Sequence, residues 1–154
     1  MPQNNTEKLF IKIVLLLFTF FASTKLFSQD LSPNLVVGIW LNESTKEKIE
    51  IYRKGDYFEG KLISGINIIS KDGENFKLDT KNSDPSLRNR SLYNLAILTN
   101  FQFQEDSWDD GKLYDFKSGK EYDAIIRMKN NILEIRSYIG ILLFGRSTYW
   151  HRVK

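Results

Sequence analysis

Short segments in which apolar and polar residues alternate recur from Val36 to Val153, with glycine, asparagine or aspartate between most of them. Strand side chains point to opposite faces in turn, so this period-two pattern marks half-buried strands. No segment beyond residue 28 sustains a 3.6-residue apolar period. Such a chain must build sheet. Eight or more short strands at close spacing predict a barrel or a sandwich.

Val36–Asn42 is the first predicted strand, with Gly38 and Trp40 on one face. A glycine beside an indole lets another group pack closely over the ring. Lys46–Lys54 alternates next, and Lys54-Gly55-Asp56 turns it into Tyr57–Ser64, where Phe58, Gly60 and Leu62 share a face. Lys71-Asp72-Gly73 is a further turn, and Phe76-Lys77-Leu78 begins another strand. Asp79–Arg90 is the longest polar segment and contains Pro85, so it reads as a loop or a very short helix. Leu92–Gln104 is strand, with Leu95, Ile97, Thr99, Phe101 and Phe103 on one face. Asp110-Gly111 and Ser118-Gly119 read as turns around the strand Leu113–Phe116, with Glu121–Lys129 as its partner. Asn130-Asn131 is a two-residue hairpin turn leading to Ile132–Ile139. Gly140–Gly145 is an apolar crossing, and Arg146–Val153 closes the chain. Short hairpin links favour up-and-down connectivity, and closure removes exposed edges. The predicted fold is all-β: one antiparallel up-and-down barrel of about eight strands, preceded by an N-terminal signal helix.

Residues 1–28 read as that signal. Lys8 and Lys12 form a basic start, Ile13–Ser23 is an apolar run of 11 residues, and Ser28 offers a small residue for cleavage before Gln29. A membrane span needs about 20 apolar residues, so this run is too short to be one. Residues 29–35 read as a linker and 36–154 as the barrel domain. Localisation is expected to be periplasmic or secreted. Removing the signal takes away three lysines and one glutamate, which lowers the net charge from +3 to +1. The residual charge shows no concentrated basic face, so nucleic acid is not expected as a partner. The chain has no cysteine, which excludes disulfides, thiol catalysis and a lipoprotein anchor. Its one histidine, His151, excludes a multi-histidine metal site within the chain. No metal and no cofactor are expected.

Six motifs occur in order: Gly38-x-Trp40, Asp56-x-x-x-Gly60-Lys61, Asp79-x-Lys81-Asn82-x-Asp84, Gly111-Lys112-Leu113-Tyr114-Asp115, Ser118-Gly119-Lys120-x-Tyr122, and Gly145-Arg146-x-x-x-Trp150-x-Arg152. As a set they resemble the bacterial family domain of unknown function 2147. The resemblance spans nearly all of Val36–Val153. It implies a small exported protein with a lipocalin-like (calycin-like) antiparallel barrel, and it implies no particular activity. It also implies structural roles for Gly38, Trp40, Gly60, Gly111, Gly119, Arg146, Trp150 and Arg152. By analogy with lipocalins, Trp40 is expected under an arginine from the end of the barrel, either Arg146 or Arg152. Such a contact contributes on the order of 1 kcal/mol. The sequence departs from the family pattern at Phe116, where a proline is usual, and at Asn94 and Ser137, where glycines are usual. Close backbone approach is not expected at those points.

The candidate ligand-binding residues are Asp79, Asn82, Asp84, Arg88, Arg90, Tyr114 and Asp115. Arginines beside carboxylates can hold an anionic group bidentately. Asp79, Asn82 and Asp84 could supply oxygens to calcium, although their spacing is not that of an EF-hand. The same residue types also cap turns for local reasons and could simply tie down a long loop. Asp115 within a strand needs a partner, with Arg127, Arg136 or a loop arginine as choices. Trp108, among Asp106, Asp109 and Asp110, reads as an aromatic on an acidic loop tip. No nucleophile–base motif is present. The expected function is a non-catalytic module holding a small apolar, lipid-like or amphipathic ligand. The alternative is an envelope interaction protein with a packed barrel and working loops at 79–90 and 106–111.

Overall fold

In the computed structural model, which describes residues 32–153, the alternating segments pair as eight antiparallel strands. These are β1 (Gly38–Leu41), β2 (Lys48–Lys54), β3 (Tyr57–Ser64), β4 (Ala96–Gln104), β5 (Ser107–Asp115), β6 (Lys120–Lys129), β7 (Ile132–Tyr138) and β8 (Arg146–Arg152). Each pairs with the next, and β8 returns to β1 through Trp40–Arg152 and Leu41–His151, which closes an up-and-down barrel. The segment read as a signal, 1–28, lies outside the described residues. No helix among the described residues is long and apolar enough to cross a membrane.

Alternation explains the packing. Ile49 and Ile51 of β2, Phe58 and Leu62 of β3, and Leu133 and Ile135 of β7 point inward and are almost fully buried. The polar face turns out and pairs across strands, as in Lys61–Glu50 at 3.1 Å and Lys112–Asp123 at 2.6 Å. Asn130 and Asn131 both take positive φ, 52° and 61°, as a two-residue hairpin turn requires.

Several expectations are corrected. The first strand is shorter than Val36–Asn42, because Pro33–Val36 forms a 3-10 helix and the Asn42 side chain caps the following turn, accepting from Ser44 and Thr45 N–H. Phe76–Leu78 makes only two isolated bridges, Ile69–Phe76 and Leu78–Ser91. In β4 the expected face breaks: Leu98 and Phe101 are both core, and Asn100 between them takes φ 63°. The β3–β4 register shifts on either side of Gly60, so strict alternation misplaces Thr99. Asp110-Gly111 is not a turn. Asp110 (φ 58°) sits in a register shift within β5, between Trp108 and Gly111, and the actual turn is Glu105–Asp106. The stretch 106–111 is therefore mostly strand. Trp108 is fully buried rather than a loop tip, and its indole packs against Phe58 and Phe103.

One end of the barrel is sealed by the 3-10 helix. Trp40 Nε1 donates to Val36 O at 2.8 Å and Trp108 Nε1 to Pro33 O at 3.0 Å. Arg152 lies over the Trp40 ring at 4.2 Å from its centroid and donates to Val37 O at 2.8 Å and to Leu35 O. Gly38 makes room for it: the residue has φ 144°, and a Cβ there would overlap Arg152 Nη1. Of the two arginines, Arg152 covers the indole. Arg146 lies at the other end of β8.

Candidate functional site: a cavity at the open end

The β1–β2 link, the end of β5, the start of β6 and the β7–β8 link meet at the end opposite the seal. They enclose a cavity of about 480 Å³. Period-two alternation sends Leu113, Tyr122, Thr148 and Trp150 into it from three different strands. Ile97 and Phe116 complete an apolar wall, and Trp150 is 5 % exposed. Polar groups gather toward the opening, where Thr45, Glu47, Lys117 and Arg146 join the rim with the apolar Ile139 and Phe144.

Glu47 is buried, at 6 % exposure, yet fully partnered. It accepts from Thr45 Oγ1 at 2.9 Å, Asn67 Nδ2 at 3.0 Å and Lys117 Nζ at 2.7 Å. Burying a carboxylate is tolerated only with this degree of pairing. Arg146 is the opposite case. Its guanidinium is exposed and makes no ion pair or side-chain hydrogen bond among the described residues. An apolar cavity whose acids are committed and that has an uncommitted cation at its mouth can accept an apolar body with a polar or anionic end.

The sequence-predicted cluster lies behind the wall. Asp79 is 1 % exposed and Asn82 5 %. Asp79 Oδ1 accepts from Tyr114 Oη at 2.7 Å, and Oδ2 accepts from Asn82 Nδ2 at 2.9 Å and from Arg90 Nε at 2.9 Å and Nη2 at 2.8 Å. Asn82 Nδ2 also donates to Tyr114 Oη at 3.0 Å, and Arg90 lies 5.5 Å from the Tyr114 ring centroid. Burial first, then the bond to Asp79, pushes the Tyr114 phenol above its ordinary value. Arg88 Nε donates to Asn82 O at 2.7 Å. Asp84 turns away from Asp79 to cap the short Pro85–Leu87 helix, accepting from Ser86 N–H and hydroxyl. Those two bonds, with smaller help from Arg88 and Arg90, hold its carboxyl below the usual range. Asp79, Asn82 and Asp84 thus share no empty centre, and the network ties the loop to β5.

Asp115 is corrected as well. Among the described residues it meets no arginine: Oδ1 accepts from Lys117 N–H and Oδ2 from Ser118 Oγ, so it caps the β5–β6 turn while lining the cavity. Tyr114 is the one residue shared by the buried network and the cavity wall. Gly60 lies under Leu98 and Gly111 under Phe101, and Gly119 (φ 73°) lets the β5–β6 turn press on the Lys81 carbonyl. These contacts are core packing and loop docking.

Sequence reasoning passed over Glu47, Lys117, Ile97, Leu113 and Phe144. A signal existed for two of them. Glu47 has the parity of Ile49 and Ile51, which places a carboxylate on the core face. Leu113 shares the inward face of Gly111 and Asp115.

No curated protein matches the chain. Among solved structures it is similar to protein HP1028 of the human pathogen Helicobacter pylori, described as belonging to the lipocalin family. The two are 27 % identical, the match covers 77 % of this chain and 82 % of that one, and the TM-score is 0.67. The model of the family described as uncharacterized protein conserved in bacteria (DUF2147) matches residues 38–152, nearly the whole described barrel. With its eight-stranded lipocalin-like barrel, the chain belongs to the DUF2147 family.

Proposed function

We propose that this protein is an exported, non-catalytic carrier that holds one small amphipathic molecule in the open end of its barrel. The observation that carries the reading is the 480 Å³ cavity, walled by apolar side chains and rimmed by polar ones, in a barrel sealed at its other end. Small-molecule sites typically occupy about 300–1,000 Å³ with this apolar-wall, few-polar-groups composition. The acids nearest the cavity are engaged, Glu47 with Lys117 and Asp115 with its own turn, which supports binding over acid–base chemistry. The basic start and apolar run of residues 1–28 support export.

Native and denaturing mass spectra of the chain recovered from an exporting host test this directly. The expected result is an added mass in the native spectrum that is lost on denaturation. Ile97→Trp fills the cavity from its wall and is expected to abolish the adduct. A wild type without adduct, binding a fluorescent amphiphile no better than Ile97→Trp does, would reject the carrier reading.

A further inference from the structure

The β7–β8 connection carries the most exposed apolar cluster of the described chain. Ile139, Ile141, Leu143 and Phe144 are 74, 55, 77 and 79 % exposed. Single apolar residues on a surface are ordinary, but four within six positions form a patch that needs a cause. The backbone is built to hold it out. Arg136 reaches up from β7 and donates from Nε to Leu142 O and from Nη2 to Leu143 O, both at 3.1 Å. Its Nη1 donates to Ser147 Oγ at 3.1 Å. Ile141 N–H donates to Ile139 O at 2.9 Å, Phe144 N–H to Ile141 O at 3.3 Å and Gly145 N–H to Leu142 O at 3.0 Å. The carbonyls of Ile139, Ile141, Leu142 and Leu143 therefore all accept a hydrogen bond from the protein itself.

That internal satisfaction matters because unpaired backbone groups are what ordinarily keep loops out of lipid. With four of its carbonyls already paired, the tip presents apolar side chains at a reduced cost. Directly after it stands Arg146, exposed and without an ion pair among the described residues, and Lys120 at the start of β6 is likewise exposed and unpaired. Apolar residues flanked by cations complement the interface of an anionic bilayer, where long basic side chains reach the headgroups. A protein partner fits less well. A stable protein interface takes about 800 Å² from each side, which calls for a broad face, and this is a narrow projection of eight residues.

We infer that residues 139–146 form a membrane-docking tip. Ile139, Ile141, Leu143 and Phe144 enter the interfacial layer of an anionic membrane, and Arg146 meets its phosphates. Ile139 and Phe144 also line the cavity mouth, so docking turns that mouth toward the lipid. The inference does not depend on what the cavity holds, and an empty barrel would dock in the same way.

The chain has no cysteine, so a single introduced one can carry a polarity-sensitive fluorophore. Leu143→Cys places it on the tip. Asp56→Cys places it in the β2–β3 turn at the sealed end, where the Asp56 side chain is 97 % exposed. With phosphatidylglycerol-containing vesicles, the label at 143 is expected to brighten and shift to the blue while the label at 56 stays water-like. Burying a Leu or Phe side chain corresponds to about tenfold in affinity, so Leu143→Asp with Phe144→Asp should weaken binding about 100-fold or more. Both side chains are mostly exposed, and unchanged tryptophan fluorescence would verify the fold. Vesicle binding that leaves the 143 label in water would overturn the inference, since the chain would then be held by another segment. A 143 label that becomes apolar without vesicles as protein concentration rises would assign the tip to a second copy and overturn it too.

Discussion

The seal at the closed end can be tested with two residues and their combination. Arg152→Ala removes two hydrogen bonds to backbone carbonyls, Val37 O and Leu35 O, and a guanidinium over the Trp40 ring. Charged hydrogen bonds contribute about 1.5–3 kcal/mol each, reduced here because Arg152 is exposed. The ring contact adds about 0.5–1 kcal/mol. The expected cost is about 2–4 kcal/mol. Gly38→Ala acts on the same contact from the other side. A side chain at φ 144° is strained by about 1–3 kcal/mol, and its Cβ would overlap Arg152 Nη1 and displace the guanidinium. Gly38→Ala should therefore cost its own strain plus most of what Arg152 contributes.

The two changes cannot then add. Once alanine at 38 has pushed the guanidinium away, Arg152→Ala has little left to remove, and the double variant should be no less stable than Gly38→Ala alone. The cycle predicts a coupling of about 2–4 kcal/mol, well outside the ~0.5 kcal/mol expected of independent sites. Urea unfolding of all four proteins, followed by tryptophan fluorescence in a stabilising osmolyte so that the weakest remains folded, supplies the measurement. Additivity within 0.5 kcal/mol would refute the reasoning, because it would mean that Gly38 and Arg152 contribute without touching.

Two further outcomes concern the loop behind the cavity. Tyr114→Phe leaves Asp79 Oδ1 buried without its donor, which should cost about 1–3 kcal/mol at neutral pH. The Tyr114 phenol is held above its ordinary value near 10, so the folded state keeps that proton longer than the unfolded state. Its contribution is complete below about pH 10 and is lost as pH rises through the raised folded value. The Phe variant should therefore show a shallower alkaline fall in stability, and an unchanged slope would show that Tyr114 does not titrate as described. Gly119→Ala combines φ 73° with a clash on the Lys81 carbonyl and should cost about 2–4 kcal/mol. Hydrogen exchange should quicken first at Asp79 and Leu92, whose N–H groups are held by Arg90 O and Lys77 O within the loop.

Much of the barrel was legible because strand alternation and turn chemistry are local. Tyr57–Ser64 and the Asn130-Asn131 turn were read correctly from residue type alone. Two of the errors fall where one residue slips. Asn100 and Asp110 each take positive φ inside a strand, and each slip moves the following side chains to the other face. Trp108 illustrates the consequence. Its acidic neighbours look like a loop, but the slip at Asp110 lets Asp109 and Asp110 face outward while the indole goes in. The cavity was not legible, because it depends on how far apart Ile97, Leu113 and Trp150 are held across the barrel, and no local pattern encodes that separation. The Asp79 cluster was legible as a group and not as a role. Its composition suits an anion site equally well, and only the Tyr114 and Arg90 contacts show that its acceptors are already filled.

Arg146 and Arg152 bring the same contrast onto one strand. They sit six positions apart on β8, with the same parity and the same side chain. Arg152 ends at a place where the incoming chain leaves two carbonyls, Leu35 O and Val37 O, pointing at it over an indole. Both of its terminal nitrogens are engaged and its position is fixed, so it closes the barrel. Arg146 ends at the open mouth, where the carboxylates that line the cavity are already held, Glu47 by Lys117 and Asp115 by its own turn. It stays hydrated and free to meet an anion. Removing Arg152 should therefore lower stability, whereas Arg146→Ala should leave unfolding within about 0.5 kcal/mol of wild type, as for surface changes that break no contact. Acceptors contributed by other segments, and not residue type, decide which of the two arginines is structural and which remains available.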